Sequence, residues 1–191
     1  MMFQKFYSKY GKPFDNQKIG NSELNSLSHI MPESLMTFFK EDHFGGYADG
    51  LFWTINPVDF IKYVPKWVVV GSNGIPFMRT AFGDLIVYFN KSNEDNIIFI
   101  DVRHQKRIYL CENMEELFND VLLLDDGFFI QITKLNMFEQ AYKKLGRLDN
   151  NRCYGFEPIL ASGGKEDVSN LKIFEYKPHL DILTQSLKEP L

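Results

Sequence analysis

Ile75-Pro76-Phe77-Met78-Arg79-Thr80-Ala81-Phe82, Leu85-Ile86-Val87-Tyr88-Phe89, Ile97-Ile98-Phe99-Ile100-Asp101-Val102 and Arg107-Ile108-Tyr109-Leu110 follow one another in one short stretch. Each is rich in branched and aromatic side chains, the kind that suit a pleated surface. Gly83-Asp84, the polar run 90–96 and His104-Gln105-Lys106 separate them. A parallel pair needs a long crossover, so links this short predict four antiparallel neighbours.

Upstream, residues 11–28 carry Gly11, Pro13, Asn16, Gly20, Asn21 and three serines, and read as an irregular polar approach. Pro32 opens a short helix with Leu35, Phe38 and Phe39 on one face, ending before Gly45-Gly46. Leu51 to Ile55 is a strand candidate. Asn56-Pro57 then caps a helix whose stripe is Val58, Ile61 and Val64, and Pro65 closes it. A turn is expected from Gly71 to Gly74.

Downstream, the period becomes helical. Asn113 with Glu116 resembles a capping box ahead of Leu117, Val121 and Leu124. A second helix runs from about Asn136 to Leu145, with Gly146 placed to end it. Tyr154 to Leu160 and Leu171 to Tyr176 read as extended, and Pro178 starts a last helix carrying Leu180, Leu183 and Leu187. The class is α+β: an antiparallel β-meander flanked by helices, with a helical C-terminal part carrying two short strands. The pattern changes near residue 111, which divides the chain into 1–110 and a helix-rich 111–191 packed on it.

The chain has 191 residues, 45% apolar and 24% charged, as an ordinary globule has. Its 18 Phe, 9 Tyr and 2 Trp are unusual, and most should be core. With 21 basic against 25 acidic residues, the chain lacks the basic footprint of a direct nucleic-acid binder. Cys111 and Cys153 are 2 isolated thiols, read as reduced. The start lacks a signal peptide's apolar stretch, and runs such as Val121 to Leu124 are far too short to span a membrane. A cytosolic protein without membrane contact is expected.

Signatures of catalysis fail in turn. His29, His43, His104 and His179 are widely spaced and read as isolated, solvated side chains without metal-ligand companions. Gly164-Lys165 has Ile159 and Glu166 where a phosphate loop needs glycine and Ser or Thr. Adjacent acids such as Asp125-Asp126 are most simply solvated, and Asp84 a turn residue. No catalytic residue, metal site or cofactor site is therefore assigned. Tyr47, Trp53 and Trp67 form an aromatic cluster read first as core; wherever exposed, such rings anchor partners.

The stretch Tyr154-Gly155-Phe156-Glu157-Pro158-Ile159-Leu160-Ala161-Ser162-Gly163-Gly164, with Asn170-Leu171 and His179-Leu180-Asp181-Ile182-Leu183, resembles the C-terminal domain of type VI secretion immunity proteins. The front half resembles the GAD-like domain, through Tyr10-Gly11-Lys12-Pro13, Gly50-Leu51-Phe52-Trp53-Thr54-Ile55-Asn56-Pro57 and Arg79-Thr80-Ala81-Phe82-Gly83-Asp84. More loosely, Pro32-Glu33-Ser34-Leu35, Phe82-Gly83-Asp84 and the helix from Met114 are similar to the SUKH immunity group.

The resemblance implies a cytosolic, stoichiometric inhibitor of a cognate toxin, a DNase effector in the family. It supplies no catalytic residue. A nuclease cleft is basic because it holds phosphate, so an acidic rim with aromatic anchors can fill it. Asp42, Asp49, Glu94, Asp95, Asp125 and Asp126 are the expected rim, and Tyr47 and Trp53 the expected anchors. Two alternatives stand beside this: a regulatory module holding a small molecule between sheet and C-terminal helices, and an enzyme using His104 or His179.

Overall fold

The computed structural model describes residues 3–68, 74–91, 94–125 and 127–191, the side chains of 90, 91, 94 and 95 excepted. The helices are α1 (Gln4–Tyr10), α2 (Asn21–Leu27), α3 (Glu33–Asp42), α4 (Pro57–Phe60), α5 (Val64–Trp67), α6 (Met114–Asn119), α7 (Gly127–Thr133), α8 (Leu135–Leu145) and α9 (Tyr176–Gln185). The strands are β1 (Phe14–Gln17), β2 (Phe44–Tyr47), β3 (Phe52–Thr54), β4 (Ile75–Thr80), β5 (Leu85–Lys91), β6 (Glu94–Asp101), β7 (Lys106–Cys111), β8 (Arg152–Phe156) and β9 (Leu171–Glu175). Strands β1 to β7 form one antiparallel sheet in chain order, and β8 and β9 a separate antiparallel pair. The expected α+β meander with a helical C-terminal part and two short strands is what the chain adopts.

Both faces of the central strands are apolar because both are covered. Ile86, Tyr88, Ile97 and Phe99 join a core with Phe6, Phe38, Leu117 and Phe138 from α1, α3, α6 and α8. Their neighbours Leu85, Val87, Ile98 and Ile100 point the other way and join Phe60, Trp67, Leu180 and Leu183 from α4, α5 and α9. Strand alternation therefore separates two cores rather than a core from solvent. The C-terminal part supplies cover to both.

The region 11–28, expected as irregular, contains β1 and α2. Gly45-Gly46, expected as a helix stop, lies inside β2. A Cβ on Gly46 would meet the Phe14 ring at 2.6 Å, so the glycines let β1 lie against β2. Pro65 opens α5 instead of closing α4, as proline does in a first turn. Val58 faces solvent, and Phe60 takes the buried place expected for it. Helix α7 was not foreseen. Strands β5 and β6 extend into the polar run between them as far as Lys91 and Glu94. Of the expected Gly71–Gly74 turn, residues 71–73 lie outside the described residues.

Candidate partner-binding face

One residue expected at the binding rim, Asp42, and the two expected anchors, Tyr47 and Trp53, are interior. Asp42 is 3% exposed, and its carboxylate accepts hydrogen bonds from the Tyr47 hydroxyl (2.9 Å) and Lys12 Nζ (2.8 Å). Tyr47 and Trp53 are 0% exposed, and Trp53 Nε1 donates to the Gly50 carbonyl at 2.8 Å. Trp67 Nε1 likewise donates to Thr184. Their polar atoms are used internally, so these rings belong to the core and cannot anchor a partner. Asp49 and Asp125 are exposed, Asp49 with a left-handed φ of 55° and Asp125 paired with Lys9 at 2.7 Å. The backbones of Glu94 and Asp95 pair with Lys91 and Asn90, while Asp126 lies outside the described residues.

The exposed chemistry gathers elsewhere, around α6. Asn113 Oδ1 accepts from the Glu116 N–H at 2.9 Å, and Glu116 Oε2 accepts from the Glu112 N–H at 3.3 Å. This is a variant of the expected capping box, reaching one residue further back. The cap fixes the rotation of the helix: Met114, Leu117 and Phe118 turn into the core, and Glu112, Glu115, Glu116 and Asp120 turn outward. Helix α1 runs alongside, with Lys5 near Asp120 (3.9 Å) and Lys9 bound to the Leu123 carbonyl as well as Asp125. Among the described residues Glu112 and Glu115 form no ion pair. Beside them on β7, Tyr109 is 53% exposed. Desolvation first, and then the charges of Glu112, Cys111 and Glu116, raise its pKa. This acidic face with one aromatic was not singled out from sequence. Its signal was there: acids at i, i+3, i+4 and i+8 opposite an apolar stripe.

A second polar cluster joins the two parts of the chain. Asp84 is fully buried, and its carboxylate accepts from Arg103 Nη2 (2.6 Å), Arg103 Nε (3.1 Å), Thr80 Oγ1 (2.7 Å) and the Val102 N–H (3.2 Å). It is an internal counter-ion where a simple turn residue was expected. Arg103 also lies 3.6 Å from Asp101. His104 Nδ1 is 2.8 Å from Asp101, its Nε2 is 3.2 Å from Glu166, and Glu166 meets Lys134 at 2.9 Å. The bond to Asp101 raises the His104 pKa. Asp101 itself, against burial, which raises it, is brought down to about 2 by His104 and Arg103. His104 is thus a half-buried ring held between two carboxylates that favour its protonated form, not a free solvated ring. His179 is also buried, stacked on Phe174 at 4.6 Å, and burial lowers its pKa to about 4. Among the described residues no group of three His, Cys, Asp or Glu is placed to hold a metal, and no helix is long and apolar enough to cross a membrane.

The family of GAD-like domains matches residues 1–101. The chain belongs to the GAD-like family. Residues 112–186 match the T6SS immunity protein Tdi1, C-terminal domain, and β7 lies between the two matched ranges. The crystal structure of Atu4351 from Agrobacterium tumefaciens is similar to this GAD-like protein over 96% of this chain and 88% of that one, with a TM-score of 0.74 and 17% identity. At that identity the likeness concerns fold alone, and it extends through both parts. Among curated proteins none matches.

Proposed function

We propose that this GAD-like protein is an immunity protein that binds a cognate secreted toxin in the cytosol and neutralises it by stoichiometric occlusion. The observation that carries this reading is the match of residues 112–186 to the Tdi1 immunity domain. The face formed by Tyr109 and the outward acids of α6 is the surface that suits it. The carboxylates of Glu112 and Glu115, without an ion pair among the described residues, complement a basic, phosphate-holding cleft, which makes a DNase the target class of choice, and an exposed tyrosine can fill an apolar recess within that cleft. Asp125 extends the face along α1. No step of bond making is needed: a filled cleft excludes substrate.

Co-expression with the toxin encoded beside it tests the reading. Growth should be restored and the pair should co-purify in fixed ratio; a toxin that still kills and leaves the column alone ends it. Replacing Glu112, Glu115 and Asp120 together by lysine should slow association about tenfold at low ionic strength and less at high salt. An association rate unchanged at both salts removes the electrostatic part while leaving immunity itself in place.

A further inference from the structure

A cleft of about 250 Å³ opens where β1, the start of α4, the turn before β8 and the start of α9 meet. That volume is the liquid share of about eight waters, room for a single base or sugar ring. Its deep surface is aromatic: Phe60 and Tyr176 line it, both buried, with ring centroids 5.1 Å apart and tilted 30°. Its outer surface is amide. Gln17, Asn150 and Asn151 stand around the opening, half-buried or exposed, and among the described residues their side chains make no hydrogen bond within the protein. A carboxamide offers two donors and an acceptor side by side, which matches the edge of a nucleobase or a pair of sugar hydroxyls. An apolar floor with a few polar groups around it, at the junction of chain segments, is how small-molecule sites are commonly built.

Charge narrows the choice. Lys177 and Asp59 pair at 2.9 Å on the rim and cancel, leaving the Glu175 carboxylate. A phosphate or carboxylate would be repelled there. We infer that this cleft binds a small uncharged ligand with one flat face and a hydrogen-bonding edge, a nucleoside or a sugar. The inference goes beyond toxin neutralisation and does not depend on it. Because the lining comes from both parts of the chain, a bound ligand also stabilises their junction.

Isothermal titration of the full chain with the common nucleosides, with hexoses and with nucleoside monophosphates tests this. Saturable binding by one panel is expected, nucleosides or hexoses according to which supplies the natural ligand, together with a rise in melting temperature. The monophosphates should bind more weakly than their nucleosides. Gln17→Ala and Asn151→Ala should each weaken binding about tenfold, the value of one good hydrogen bond. Neither should lower the melting temperature of the free protein, since both side chains are exposed. Absence of binding by both panels at millimolar concentration, tighter binding of monophosphates, or affinity that survives both substitutions overturns the proposal.

Discussion

Arg79 is a guanidinium in the interior with no carboxylate in ion-pairing distance among the described residues. It lies 5.0 Å from the Trp53 ring and 4.6 Å from the Tyr176 ring, and donates to the carbonyls of Thr80 (3.1 Å), Asp149 (3.4 Å), Asn150 (2.9 Å) and Arg152 (3.0 Å). Burial lowers its pKa, yet guanidinium keeps its proton in proteins. Arg79→Met removes a charge-assisted donor from four carbonyls and is expected to cost about 3 kcal/mol or more in urea unfolding. Arg79→Lys should restore only part of that, because an ammonium cannot both lie flat between rings and reach all four oxygens. His104 contributes to the pH dependence. Its pKa is raised above 6.5 in the fold, so its contribution is complete below pH 6.5 and is lost as pH rises through the folded value. Asp101 is lowered from 3.8 to about 2, so its contribution is present above pH 3.8 and lost as pH falls toward 2. In His104→Gln the alkaline limb of the stability profile should flatten; a limb that keeps its slope would assign it to another group.

At the scale of elements, β4 to β7 were legible because branched and aromatic runs with short polar links leave few other structures open. Helix α3 was legible from Leu35, Phe38 and Phe39, all buried as the spacing requires. Strand β2 was not, because Phe44-Gly45-Gly46-Tyr47 has the composition of a turn and becomes a strand only when Phe14 lies across its glycines. Gly46→Ala should therefore destabilise by about 1–3 kcal/mol through overpacking against that ring, seen as a lower urea midpoint. At α6, Asn113→Ala should cost about 1 kcal/mol by leaving the Glu116 N–H without its acceptor. The candidate face was half legible. Sequence shows how many aromatic and acidic side chains exist, and helical spacing shows which acids share a side. Which aromatic rings stay outside depends on tertiary cover, and so Tyr47 and Trp53 proved interior while Tyr109 proved exposed.

For the molecule as a whole, the composition change near residue 111 marks a change of element type within a shared core. Tyr154 and Phe156 of β8 and Phe138 of α8 complete one core, and Tyr176, Leu180 and Leu183 of α9 complete the other. Residues 1–110 produced alone are expected to lack a cooperative urea transition and dispersed amide resonances, because both faces of their sheet would be open to water. A sharp, reversible transition in that fragment would mean the parts fold separately. The family resemblance was legible because glycine, proline and aromatic punctuation fixes turns. The surface that meets a partner is not punctuated in that way and had to be read from the fold.

The grip of Arg79 on the link between α8 and β8 has one more consequence. It holds peptide oxygens of Asn150 and Arg152, which every amino acid at those positions would present alike. Identity of the side chains at 150 and 151 is thereby uncoupled from this clasp, so that rim of the cleft is free to change in evolution while Asp149, paired with Arg152 at 2.7 Å, keeps the turn beneath it in shape.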